Sequence, residues 1–171
     1  MKRIIAIAAG VAAILIMNRE GFAISYDTYS WGDDRNEVYE VLYTDGKALL
    51  QDTDTIMYTD ELYGKTCAFT FYFTSETKEL FKVQLVWEYL KDIAVKDFGS
   101  QIKEVLIKTY DTPDLSEKDG TYFKWVDDFD ESWAVLDYSG DSVVLTYGSP
   151  QEVAVEKEDI GQEKEDDRYN F

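Results

Sequence analysis

Histidine is absent from the 171 residues, and cysteine occurs once. The first absence removes Ser-His and Cys-His catalytic pairs, histidine acid/base chemistry and His-ligated zinc. The second excludes an internal disulfide. Cys67 sits in an apolar strand pattern and reads as a small buried hydrophobe, with an intermolecular disulfide in an oxidising compartment as the alternative. Basic residues are scarce: 17 Lys and Arg stand against 35 Asp and Glu, for a net charge of −18. Such a field repels phosphate backbones and anionic lipid, so nucleic acid and membrane-surface binding are disfavoured. Charge favours a protein partner that is basic, or a cation, while solubility alone is the plainer reading of the same numbers. A glycine-rich phosphate loop is also missing.

What is present begins with residues 1–23, which read as a secretory signal. Lys2 and Arg3 precede an uncharged apolar run over residues 4–17, 14 residues long. A membrane-spanning helix needs roughly 20. Gly21 and Ala23 offer a cleavage point, and an uncleaved N-terminal anchor is the alternative. No later apolar run is long enough to span a bilayer. The protein is therefore expected to be exported, periplasmic or extracellular. Without Lys2, Arg3, Arg19 and Glu20 it carries 14 basic and 34 acidic residues. The remaining length suits one domain. Residues 151–171, with eight acids and three bases, are expected to form an acidic, disordered or loosely attached tail.

Between these ends the chain repeats itself. Trp31-Gly32 … Glu37-Val38 … Tyr43 returns 67 residues later as Phe98-Gly99 … Glu104-Val105 … Tyr110. Each copy reads as an aromatic-Gly helix start followed by a short amphipathic helix. In the first, Asp33 or Asp34 can cap, and Val38, Val41 and Leu42 share one face. In the second, Ile102, Val105, Leu106 and Thr109 do so, and Pro113 prevents continuation. Alternation of apolar and polar residues then predicts strands over residues 66–74, 80–89, 121–126, 132–138 and 143–147, with an extended stretch at 55–59. Residues 24–30 are a lead-in with strand character. Cys67, Phe69 and Phe71 align with Ala134, Leu136 and Tyr138. Val83, Leu85 and Trp87 align with Val143, Leu145 and Tyr147. The expected fold class is α+β: two helix-strand-strand-strand repeats, about 30–90 and 97–148, forming one antiparallel sheet with both helices on one face. Residues 24–150 make up this domain.

Candidate chemistry is thin. Asp52 and Asp54, and then Asp127, Asp128, Asp130 and Glu131, crowd two turns, but neither has the glycine and closing glutamate of a helix-loop-helix calcium loop. Solvated acidic turns account for them, and no metal, cofactor or catalytic residue is assigned. The register places Tyr72 and Trp133 on the sheet face opposite Phe71 and Tyr138. Exposed Tyr and Trp suit contact with a protein or a sugar, and Tyr72 and Trp133 are the candidate partner-binding residues. Mutual cover across strands is the other explanation.

The segments Trp31-Gly32 … Glu37-Val38 and Leu106 … Tyr110-Asp111-Thr112-Pro113-Asp114 resemble small exported bacterial proteins built from helix-plus-antiparallel-strand repeats. Two such groups are the small outer-membrane-assembly lipoproteins and the beta-lactamase-inhibitor-like domains. The resemblance spans residues 30–148. Asp111 stands where those proteins often carry glycine, and the lipid-attachment cysteine is missing. The resemblance implies a non-enzymatic binding protein, of inhibitor or envelope-assembly type, and carries over no catalytic residue. The competing expectation is a secreted acidic hydrolase working through a carboxylate pair.

Overall fold

The computed structural model describes residues 26–88 and 92–150. The expected signal and acidic tail lie outside them. Helix α1 (Arg35–Thr44) starts at Asp34, whose side chain accepts the Asn36 N–H at 2.8 Å. Asp34 is thus the cap, while Asp33 accepts the Ser30 N–H at 2.8 Å and fixes the turn before it. Val38 and Leu42 are buried one turn apart, and Val41, expected beside them, is exposed. Four strands follow: β1 (Leu50–Gln51), β2 (Thr55–Leu62), β3 (Lys65–Phe73) and β4 (Leu80–Trp87). Helix α2 (Asp92–Tyr110) leads to four more: β5 (Leu115–Glu117), β6 (Tyr122–Val126), β7 (Trp133–Asp137) and β8 (Val143–Gly148). All eight make one antiparallel sheet in the order β1-β2-β3-β4-β8-β7-β6-β5, so the class is α+β.

Three expectations need correction. Each helix is followed by four strands, not three. The additions, β1 and β5, are two and three residues long and exposed throughout, so they carry no alternating pattern to read. The second helix begins at Asp92, so Phe98 and Gly99 lie inside it rather than at its start. Gly32 does precede α1, with φ +92°, whereas Gly99 makes room: a Cβ there would lie 2.3 Å from Cγ of Tyr138. Finally, residues 26–30 form a turn instead of a strand. The Tyr29 N–H donates to the Tyr26 carbonyl at 3.2 Å, and both rings enter the core.

That core is one cluster drawn from both helices and from alternate strand positions. On β3, Cys67, Phe69, Phe71 and Phe73 are buried, while Ala68, Thr70 and Tyr72 are not. Leu80, Val83, Leu85 and Trp87 on β4, Ala134 and Leu136 on β7, and Val143, Leu145 and Tyr147 on β8 complete the same side. Buried polar tips find partners, as burial requires. The Trp125 indole donates to the Asp111 carbonyl at 3.0 Å, and the Tyr138 hydroxyl to the Gly120 carbonyl at 3.0 Å. Burial pushes up the Tyr26, Tyr29, Tyr58 and Tyr147 phenols, Tyr29 to about 12. It pushes the Cys67 thiol to about 12 as well, which leaves that residue no thiolate character.

Candidate interaction surface

Antiparallel pairing sets residues of successive strands directly opposite one another, and each such row presents its side chains to one face. One row at an end of the sheet reads Thr55, Tyr72, Lys82, Gly148, Trp133, Val126, from β2 through β6. Tyr72 and Trp133 therefore share a row. They sit three strands apart, about 14 Å at the usual strand spacing. The face is the one turned away from the core, and both rings are half-buried.

Gly148 explains how Trp133 lies. A Cβ at that position would meet the indole at 2.3 Å, so the ring is laid flat across β8 and covers the glycine backbone. The Lys124 ammonium stands 5.8 Å from its ring centroid. On the other side, Lys82 places its ammonium 4.5 Å from the Tyr72 centroid, and the Tyr72 hydroxyl donates to Gln84 at 3.3 Å. Each candidate ring is thus braced by a lysine, an arrangement that orders the ring without burying it. Gly148 escaped the sequence reading because the pairing of β4 with β8 has no local signature, and Lys82 and Lys124 because a lysine on the outer face of a hairpin reads as an ordinary solvated residue.

The next row runs from Leu50 on β1 to Leu115 on β5 by way of Thr70, Gln84, Thr146, Val135 and Lys124. Neither row contains an acid. In a chain with twice as many acids as bases, the middle of this face carries hydroxyls, short aliphatics and two lysines. Acids enter at the third row, where Asp137 lines a shallow depression of about 400 Å³ with Tyr122, Ser139, Ser142 and Thr146. Its carboxylate accepts from Lys118 and from the hydroxyl and N–H of Ser139. Burial works against the charge, but these hydrogen bonds and the ammonium hold the Asp137 carboxyl below its usual range.

Beyond Val126 the row leads into the turn at residues 127–131. Asp127 accepts the N–H groups of Phe129 and Asp130 at 2.8 and 3.2 Å, and Asp130 accepts the Ser132 N–H and hydroxyl at 3.0 and 2.6 Å. These carboxylates spend their oxygens on their own turn. Among the described residues no group of three or more acids or cysteines is placed to hold a metal ion. The same turn holds Phe129 out at 89% exposure, the highest of any large hydrophobic described, next to exposed Val126. Sequence reasoning passed over Phe129 because an acidic turn reads as solvated. Comparison with known proteins adds nothing to this geometry: no family model, curated protein or solved structure matches the chain.

Proposed function

We propose that this protein is an exported, non-enzymatic module that binds another protein through the outer face and end of its sheet, as an inhibitor or assembly factor does. The observation that carries the reading is the run Tyr72, Trp133, Val126, Phe129 along one end of the sheet. Aromatic anchors on rigid supports concentrate binding energy, because little conformational freedom remains to be lost. Phe129 suits an apolar pocket in the partner, and the acids around it suit a basic rim to that pocket.

In this reading the fold is two repeats joined at the β4–β8 seam, with both helices on one face and the other left for the partner. Register supports it. Phe69 opposes Leu85 on β3–β4, and Leu136 opposes Leu145 on β7–β8, which are the aligned positions of the two halves. Leu85 and Leu145 also oppose each other across the seam, where a two-fold relation would put an aligned pair. On either side of them Val83 opposes Tyr147 and Trp87 opposes Val143, pairs that such a rotation exchanges.

The test is quantitative affinity capture from the envelope and secreted fractions, followed by titration with the isolated partner. Trp133→Ala and Phe129→Ala should each weaken binding by about 2 kcal/mol or more, roughly thirtyfold, with the fold intact. Unchanged affinity in both variants would remove this surface from the binding reaction.

A further inference from the structure

The depression beside Asp137 is a separate feature of the outer face. Its floor joins two cross-strand pairs of β7 and β8: Val135 opposite Thr146, and Asp137 opposite Val144. Tyr122, opposite Asp137 on β6, flanks it on one side. Ser139, Gly140 and Ser142 of the β7–β8 turn close one end. Its volume of about 400 Å³ lies within the range of about 300–1,000 Å³ usual for small-molecule sites.

Charge at this site is closed on itself. A carboxylate offers about four acceptor positions. At Asp137 the Lys118 ammonium, the Ser139 N–H and the Ser139 hydroxyl take three of them. Too little is left for the paired N–H groups of a guanidinium, and any other cation would compete with Lys118. An anion would meet Asp137 itself, with Glu117 in the same row and Asp141 in the adjoining turn. A neutral ligand finds better terms. The Thr146 hydroxyl accepts from the Gln84 amide at 3.4 Å, which leaves its hydrogen to donate. The Ser139 hydroxyl donates to Asp137, which leaves it to accept, and the Ser142 hydroxyl can do either. Between these groups lie the Tyr122 ring and the short side chains of Val135 and Val144.

We propose that this depression is a saccharide site, which takes one neutral sugar ring with its hydroxyls on Asp137, Ser139, Ser142 and Thr146 and its C–H surface against Tyr122 and the two valines. Sugar hydroxyls donate and accept at once, as this mixed set of partners requires, and the C–H patches of the ring suit an aromatic or aliphatic support. The frame is set before the ligand arrives. The Lys118 ammonium that holds Asp137 also stands 5.0 Å from the Tyr122 centroid, and the Tyr138 hydroxyl ties β7 to the β5–β6 turn at Gly120. Side chains already ordered have little freedom left to lose on binding. None of these residues belongs to the run Tyr72, Trp133, Val126, Phe129, so the site stands whether or not that run binds a protein.

The experiment titrates the full, isotope-enriched chain with glucose, galactose, mannose and N-acetylglucosamine, and with short oligomers of each, while backbone amide shifts are followed. At least one sugar is expected to give saturable shifts at Val135, Asp137, Ser142, Val144 and Thr146, with half-saturation in the millimolar range for a single ring. Tighter binding of an oligomer, by tenfold or more, identifies a glycan chain as the ligand; equal affinity identifies the free sugar. Ser142→Ala and Tyr122→Ala should each weaken binding about tenfold. Tyr122→Ala removes a strand side chain, so the turn variant Ser142→Ala is the check that leaves the sheet alone. Phe129→Ala should leave the affinity unchanged, which separates this site from the protein-binding reading. The proposal is overturned if no sugar gives saturable shifts, if the shifts map to the Tyr72–Trp133 row instead, or if both variants bind as the parent does.

Discussion

Replacing Gly99 by alanine sets two effects of opposite sign against each other. In the interior of a helix, alanine is better than glycine by about 1 kcal/mol, since it restricts the unfolded chain more and shields the backbone. Gly99 is such an interior position, in the middle of α2. Yet its added Cβ would lie 2.3, 2.6 and 2.8 Å from Cγ, Cδ1 and Cδ2 of Tyr138, distances that no real contact tolerates. The ring has little freedom to yield. Its hydroxyl is tied to the Gly120 carbonyl, its face is stacked on Phe123 with centroids 6.0 Å apart, and the residue is 4% exposed. Overpacking a site of this kind costs about 1–3 kcal/mol, so the packing effect should win. Gly99→Ala is expected to lower stability by up to about 2 kcal/mol, a fall of at most a few degrees in Tm for a domain of this size. Urea denaturation measures it, and a double-mutant cycle assigns the cause. In a Tyr138→Ala background the clash is gone, and Gly99→Ala should become stabilising. A stabilising Gly99→Ala in the intact protein, or a cycle with no coupling, would refute the account.

Further expectations come from the two faces of the sheet and from its tyrosines. Phe71→Ala should cost about 3–5 kcal/mol, because Phe71 is fully buried against Tyr26, Tyr29 and Tyr58. Trp133→Ala should cost about 1 kcal/mol, since cross-strand contacts are the main loss; equal, large losses in chemical denaturation would place Trp133 in a core. Stability should also collapse on the alkaline side. Tyr26, Tyr29, Tyr58 and Tyr147 hold their protons above the ordinary value of 10.0 when folded and release them near it when unfolded. The unfolded state then binds fewer protons, so stability falls as pH rises past 10. Spectrophotometric titration should show these tyrosines ionising together with unfolding, and smooth ionisation of a folded protein would contradict it.

Period-two alternation made most of the sheet legible in advance. It separated Cys67, Phe69 and Phe71 from Ala68, Thr70 and Tyr72, because burial of one face is written into every second residue. It could not show β1 and β5, whose side chains are all exposed and which contribute backbone pairing alone. Nor could it show which strands become neighbours. Tyr72 meets Lys82 through a nearby hairpin, but Lys82 meets Gly148 only because β4 pairs with β8. The composition of the candidate surface depends on that one distant pairing. Gly32 and Gly99 carry a related lesson. They match in sequence, but one answers to backbone torsion and the other to a ring pressed against it.

Every strand pair in the sheet except β4–β8 joins neighbours in the chain. Those six hairpin-type pairings close short loops, which form quickly and at small entropic cost, whereas the seam must bring together residues as far apart as Lys82 and Gly148. The order of assembly is therefore set by the seam. Each half can sample its own meander early, but neither gains its full core until β4 and β8 meet, so the seam is expected to form after the hairpins. By the same logic a chain cut between β4 and α2 would keep every hairpin whole. The two pieces would have one strand-to-strand interface to rebuild, which makes this link the natural place to divide the protein for fragment complementation.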